Sequence, residues 1–342
     1  MAGIKKIRQF IHDILVMMRF AAFGSTIVIV LLGAASASPD LSMREVIALI
    51  SAAFFFHGFV YISNDLIDLD IDRTQKVRID SPLVQGNFSS LSMLIFAVIK
   101  LGVCFVITLG SQNPGEAIAY LALSIACMSI YNLWGKRANL PLLTDAIQGI
   151  GWGAFTLYGA AFVQGHLQPL NWIAFAFFFV YTLIVSGVHA NLRDLPNDFD
   201  HKVQTTPIVL GVRPDAQDRL LLSRRIITYV VVLQFTLNGL VLLPLSENWF
   251  HYDSISLYVS WALSLAVIGY SMFLGVKTLQ AVRGDFETMV RTGLLHLLVL
   301  LGALIAAFAL YLGPELLIVL VTMYILPLFT GNVVPQPNPV QA

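Results

Sequence analysis

Four aspartates, Asp65, Asp68, Asp70 and Asp72, fall within eight positions of a chain in which charged residues make up only 12%. A second acidic segment, NLRDLPNDFD, holds Asp194 and Asp198. At about 100° per residue, helical positions i, i+3 and i+7 lie within about 60° of one another. A continuous helix would therefore put Asp65, Asp68 and Asp72 on one face and Asp70 on the other. The two segments are related: Asp65, Asp68 and Asp72 stand 126 positions before Asn191, Asp194 and Asp198. Pro82-Leu83-Val84-Gln85-Gly86 is matched 125 positions later by Pro207-Ile208-Val209-Leu210-Gly211. This pattern reads as an internal repeat, each copy placing an acidic motif after an even-numbered helix.

Two such faces meeting across a cavity present five carboxylates, Asp65, Asp68, Asp72, Asp194 and Asp198, with the amide oxygen of Asn191. Like charges at that density require cations, or their pKa values climb until some are neutral. Oxygen-only ligands favour a hard ion, and magnesium combines a few carboxylates with waters and substrate phosphates. Two magnesium ions and a diphosphate of about −3 leave a formal charge of about −4. Lys76, Arg78, Lys136, Arg137 and Lys202, on loops of the same face, are placed to supply positive charge to phosphate oxygens. A calcium loop starting at Asp68 is excluded, since Arg73 and Ile79 stand where glycine and glutamate are required.

The elements that must carry these residues are membrane spans. The chain of 342 residues is 57% hydrophobic with a mean hydropathy of +0.79, outside the range of ordinary soluble domains. Apolar runs long enough for a hydrocarbon core of roughly 30 Å lie at 15–37, 45–63, 91–110, 115–134, 144–164, 169–190, 224–246, 253–275 and 292–312. A tenth, shorter run lies at 315–330. With a cytoplasmic N-terminus, 17 of the 20 Lys and Arg residues fall on that side, as the positive-inside rule requires. Both acidic motifs share that face. The basic start, apolar stretch and AASASP sequence have the parts of a secretory signal, but the stretch runs past Arg19 to residue 37, so retention as the first span is expected. Cys104 and Cys127 both fall within spans and define no redox compartment or metal cluster. The proline-rich residues 332–342 read as a disordered tail.

In this membrane context the motifs resemble those of the UbiA-type intramembrane prenyltransferases. NDxxDxxxD stands complete as Asn64-Asp65, Asp68 and Asp72. The second motif, with its TxP and LG elements, appears as Asn191, Asp194, Asp198, Thr205, Pro207 and Leu210-Gly211, asparagine replacing the first aspartate. Tyr131 followed by Lys136-Arg137 matches the family's tyrosine and basic pair after the fourth span, with one extra residue between them. Ser81 precedes Pro82 where the family often has arginine.

The resemblance implies an all-α polytopic membrane protein, a nine-helix bundle with an internal repeat around a lateral, lipid-open cavity, forming one prenyltransferase domain over residues 1–331. It implies two Mg2+ ions between the acidic motifs, an isoprenyl diphosphate donor, an acceptor that is commonly aromatic, and no nucleic-acid partner. A terpene cyclase of the same superfamily, capturing the cation with the substrate's own double bonds, is the alternative. A transporter suits the repeat but not acidic clusters at one surface. Arg19 matches a family arginine expected to meet diphosphate or acceptor. Asp145 and Gln148, entering the fifth span on the same face, are candidates for acceptor binding, and His57 for an acceptor-side base or a packing residue. Lys100, in the third span, matches no motif. His189 and His296 read as packing residues, and Gly149 and Gly153 as a helix-packing face.

Overall fold

The structure is a computed structural model and describes residues 2–73, 78–135, 137–215 and 219–330, excluding the side chains of residues 2–5, 327 and 330. Among the described residues, nine helices are long and apolar enough to cross a membrane. After an amphipathic helix α1 (Ala2–Met17) come α2 (Phe23–Ala37), α3 (Met43–Ile67) and a short α4 (Leu69–Asp72), then α5 (Ser90–Thr108), α6 (Pro114–Trp134) and α7 (Pro141–Val163). The second half holds α8 (Pro169–Ile184), a π-helical turn (Val185–Ala190), α9 (Asn191–Asp200) and α10 (Thr206–Val209). It ends with α11 (Arg224–Ser246), α12 (Ser254–Ala281), α13 (Phe286–Phe308) and α14 (Pro314–Thr330).

Local sequence explains where these helices start. Ser42 and Glu45 form a reciprocal capping box at α3, and Ser89, Asn113, Ser223, Asp253 and Asp285 each accept a backbone N–H of the first turn of their helices, satisfying donors that the helix itself leaves open. Proline stands at the first turn of α6, α7 and α8, where its missing N–H has no partner to lose.

Helix α2 is buried around nearly its whole circumference, as a central helix must be. It meets α7 through glycine. A Cβ on Gly33 would fall 2.0 Å from the Thr156 carbonyl oxygen, and one on Gly159 2.1 Å from that of Val30. Gly149 and Gly153 bring α7 against α8, where added Cβ atoms would meet the Phe179 and Phe175 rings at 2.8 and 2.7 Å. Helix α14 packs against α2, the turn before it, and α13. Tyr324 fixes it by donating to the Leu298 carbonyl at 2.7 Å.

Three features depart from the expected spans. The first is not continuous from residue 15: α1 ends at Met17, Arg19 adopts a left-handed φ of 47°, and a single 3-10 turn (Phe20–Ala22) leads into α2. The helix does not run unbroken through the first acidic motif, because Asp68 (φ −89°, ψ 2°) leaves helical geometry between α3 and α4. A two-stranded hairpin, β1 (Arg213–Pro214) with β2 (Leu220–Leu221), adds a small antiparallel pair to the helical fold. The 332–342 tail lies outside the described residues.

The two related segments share a local conformation. Gly86 (φ 77°) and Gly211 (φ 95°) are both left-handed, a region glycine occupies without a Cβ penalty. Asn87 donates to the Pro82 carbonyl at 2.9 Å and Val212 to that of Pro207 at 2.8 Å. Thus each Pro-to-Gly stretch closes with the same turn.

Candidate active site at the acidic motifs

The first motif is a set of buried carboxylates held by arginine. Asp65, Asp68 and Asp72 are 3%, 5% and 3% exposed, whereas Asp70 is exposed and paired with Arg73 at 3.2 Å. Arg19 Nη2 donates to Asp65 Oδ1 at 2.9 Å and to Asn64 Oδ1 at 3.1 Å. Asn64 in turn donates to Asp68 Oδ2 at 3.3 Å. Arg78 approaches Asp65 and Asp72, each at 3.9 Å.

The left-handed backbone at Arg19 makes this possible, because it ends α1 and turns the side chain onto α3. A non-glycine residue in that region is sustained by its surroundings. The Arg19 carbonyl accepts from His57 Nε2 at 3.3 Å, and Thr26 Oγ1 donates to His57 Nδ1 at 2.8 Å. A carbonyl only accepts, so this arrangement sets the tautomer with the proton on Nε2. The guanidinium lies over the Tyr61 ring at 4.9 Å, a cation–π contact. His57 thus supports the arginine's backbone.

The positive groups are crowded. The nearby Arg19 charge, followed by burial, presses the Arg78 pKa below its usual value, against the pull of Asp65 and Asp72. Arg19 Nε is buried without a hydrogen-bond acceptor among the described residues. An orphaned donor beside a second guanidinium fits an anionic ligand bearing several oxygens.

The second motif is arranged differently. Asp198 is buried, while Asp194 is half exposed and clasped by Arg193 through Nε at 2.7 Å and Nη2 at 2.9 Å. Asn191 donates to the Gly187 carbonyl at 3.4 Å. The charges of Arg19 and Asp198 act on Arg193, and that of Arg193 on Arg78, so the two motifs face a common charged region. Among the described residues, no three His, Cys, Asp or Glu side chains gather closely enough to hold one ion. Arginines instead pair with Asp65, Asp72 and Asp194.

The remaining candidates are dispersed. Arg137 donates to the Ile67 carbonyl at 2.9 Å, capping the end of α3. Tyr131 on α6 lies within electrostatic reach of Asp145, Asp68 and Arg19. Asp145 is buried and accepts from Thr206 at 2.5 Å; the Gln148 side-chain oxygen is buried without a partner among the described residues. Lys202, left-handed (φ 59°) and exposed, lines a surface pocket of about 300 Å³ with Phe199, Gln204 and Arg213. Lys76 and Lys136 lie outside the described residues. Lys100 is buried between the rings of Phe54, Phe96 and Phe55, its ammonium 4.5, 4.6 and 5.4 Å from their centroids.

Sequence reasoning missed Arg193 and Asn132. Arg193 sits inside the second motif, where spacing marks it only as a basic loop residue. Asn132 donates to the Val60 carbonyl and Ser63 Oγ, both at 3.1 Å, tying α6 to α3 one turn before Asn64. Its signal is an amide at the end of an apolar run, beside Tyr131.

A many-spanning membrane protein whose paired acidic motifs converge with arginines at one end of the bundle defines the class. The chain belongs to the UbiA prenyltransferase family, whose profile matches residues 23–272. It is 25% identical over 214 residues, 62% of this chain and 67% of the other, to a 4-hydroxybenzoate octaprenyltransferase of Tolumonas auensis. It is 28% identical over 139 residues to a protoheme IX farnesyltransferase of Vibrio vulnificus, covering 41% of this chain and 46% of that one. The match therefore spans less than half the length of the farnesyltransferase. The fold is that of a UbiA homolog from Archaeoglobus fulgidus bound to DMAPP and Mg2+ (TM-score 0.61, 13% identity, 85% of this chain and 99% of that one). An apo UbiA homolog from Aeropyrum pernix K1 is similar (TM-score 0.60, 18% identity, 84% and 97%).

Proposed function

We propose that this chain transfers a prenyl group from an isoprenyl diphosphate to an aromatic acceptor within the membrane, releasing diphosphate. The observation that carries this reading is the convergence of Arg19 and Arg78 on the buried carboxylates of Asp65 and Asp72, with the Arg19 Nε left without an acceptor among the described residues. Two mutually repelling guanidiniums stabilise an anion that gains charge as a C–O bond breaks, which is electrostatic assistance to a leaving group.

The donor set also fits a divalent ion. Every candidate ligand atom is oxygen, and Asp65, Asp68, Asp72 and Asp198 are buried at one end of the bundle. Once an ion displaces the arginine pairs and draws the side chains together, Asp65, Asp68 and Asp72 would hold one Mg2+, and Asn191, Asp194 and Asp198 a second. Bound there, magnesium would neutralise charge on the departing diphosphate. Arg19 and Arg78 orient phosphate oxygens, and Arg193 regulates the availability of Asp194. Lys76, Lys136, Arg137 and Lys202 add positive charge around the headgroup, with Asn64 and Tyr131 closing the site toward α6. Asp145 is a candidate for contact with the acceptor. The apolar tail lies in a groove open to the bilayer, and the N-terminus and both motifs face the cytoplasm. The relation of the two motifs is an internal repeat.

Purified protein incubated with Mg2+ and geranyl, farnesyl or geranylgeranyl diphosphate tests the reading. Diphosphate release that requires an aromatic acceptor supports it. Acceptor-independent release with a cyclic hydrocarbon product assigns the chain to cyclisation instead, and no release from any donor refutes both.

A further inference from the structure

Between α8 and α9, residues Val185–Ala190 form a π-helical turn that delivers the chain directly into Asn191. Such a turn carries one residue more than the α-helical ladder holds and persists only where neighbours stabilise it. Two sets of contacts do so here. On one side Gly187 lies against α7, where an added Cβ would stand 2.8 Å from Asp145 Oδ2. Asp145 is itself fixed by the hydroxyl of Thr206.

Half a turn away, His189 starts a polar chain through the bundle. His189 Nε2 lies 3.0 Å from His296 Nδ1 on α13, and His296 Nε2 lies 2.9 Å from Gln234 Oε1 on α11. Gln234 donates to Asn238 Oδ1 at 3.0 Å and to Ser271 Oγ on α12 at 3.2 Å. The chain has a direction. An amide oxygen only accepts, so His296 carries its proton on Nε2, its Nδ1 accepts, and His189 donates from Nε2. Space for both rings comes from missing side chains: a Cβ on Gly293 would lie 2.9 Å from His189 Nδ1, and one on Gly275 3.3 Å from the His296 ring.

We propose that His296, acting through His189, is a positioning residue for the second acidic motif. It holds the π-helical turn and thereby the rotation at which Asn191, Asp194 and Asp198 face the first motif. Loss of the extra residue from the ladder would turn α9 by about one residue's rotation, about 100°, carrying its carboxylates away from Asp65 and Asp72. Partners outside a metal's ligand set orient the ligands, and their removal weakens metal binding by about 10- to 100-fold. This inference rests on the metal-assisted reading above.

The test uses the full chain in detergent with Mn2+ as a paramagnetic probe, its binding read by electron paramagnetic resonance, alongside the Mg2+ dependence of diphosphate release. His296→Leu should raise the half-saturating Mn2+ and Mg2+ concentrations about tenfold, whereas His296→Gln, which can accept from His189, should stay within about threefold of wild type. Should His296→Leu fail to fold, Gln234→Met carries the test, since it removes the acceptor for His296, together with the bonds to Asn238 and Ser271, and should weaken Mn2+ binding several-fold. Folded His296→Leu or Gln234→Met protein with wild-type Mn2+ affinity overturns the proposal while leaving the enzymatic reading intact. Wild-type protein that binds no Mn2+ and releases no diphosphate overturns both.

Discussion

Arg19 and Asp65, 46 positions apart, meet at 2.9 Å, and the meeting depends on a left-handed residue that stops one helix so that its side chain can reach another. The same guanidinium contacts Asn64 and lies over Tyr61, so three residues of α3 are organised by one side chain from the break between α1 and α2.

Removing that side chain should therefore weaken donor turnover more than it weakens the fold. Charge-assisted hydrogen bonds are each worth about 1.5–3 kcal/mol, so Arg19→Ala is expected to lower kcat/KM for the isoprenyl diphosphate by about 10- to 100-fold or more. Arg19→Lys keeps the charge but loses the planar fork, and should recover only part of the loss. Steady-state assays of diphosphate release measure both. Wild-type kcat/KM in Arg19→Ala would show that the arginine is structural.

Both acidic motifs should be indispensable even though their environments differ. Asp68 is buried beside Asn64, and Asp194 is half exposed on Arg193. Asp68→Ala and Asp194→Ala are each expected to abolish release at any Mg2+ concentration. Full activity in either would remove that motif from the metal site.

The contact of α2 with α7 sets a packing limit. Because a Cβ on Gly33 would fall on the Thr156 backbone oxygen, Gly33→Ala must push two central helices apart, while Gly102→Ala has open space around it. Overpacking typically costs about 1–3 kcal/mol. The thermal midpoint of Gly33→Ala in detergent should drop by several degrees, with that of Gly102→Ala close to wild type. Equal midpoints would contradict the close approach.

Lys100 tests a different balance. Its ammonium is buried among three aromatic rings, with no carboxylate paired to it among the described residues. Three cation–π contacts at about 0.5–2 kcal/mol each do little more than offset the roughly 2.5–3.5 kcal/mol cost of a lysine at the bilayer centre. Lys100→Met should hold or raise the thermal midpoint and leave turnover within about twofold. A large fall in turnover in a stable Lys100→Met protein would instead make the lysine part of the reaction.

Composition and period made the spans readable, because apolar runs of about 20 residues follow from the bilayer itself. Arg224–Ser246 starts and ends where the hydropathy does. The matched Pro-to-Gly stretches were equally legible, since a repeated sequence at Gly86 and Gly211 folds into a repeated turn. What hydropathy could not carry were departures of a single residue. Nothing in an apolar run marks Arg19 as left-handed, and an inserted residue in a π-helical turn leaves the pattern around His189 unchanged. Arg193 escaped notice for a related reason: its grip on Asp194 is a side-chain choice between adjacent residues, invisible to spacing arguments.

The most direct test of the central claim is diphosphate release by the purified protein supplied with Mg2+, a prenyl diphosphate series and an aromatic acceptor. Release that depends on both the metal and the acceptor, yielding a prenylated ring, is the predicted result. No release from geranyl, farnesyl or geranylgeranyl diphosphate, with the protein folded and Mg2+ saturating, would contradict it.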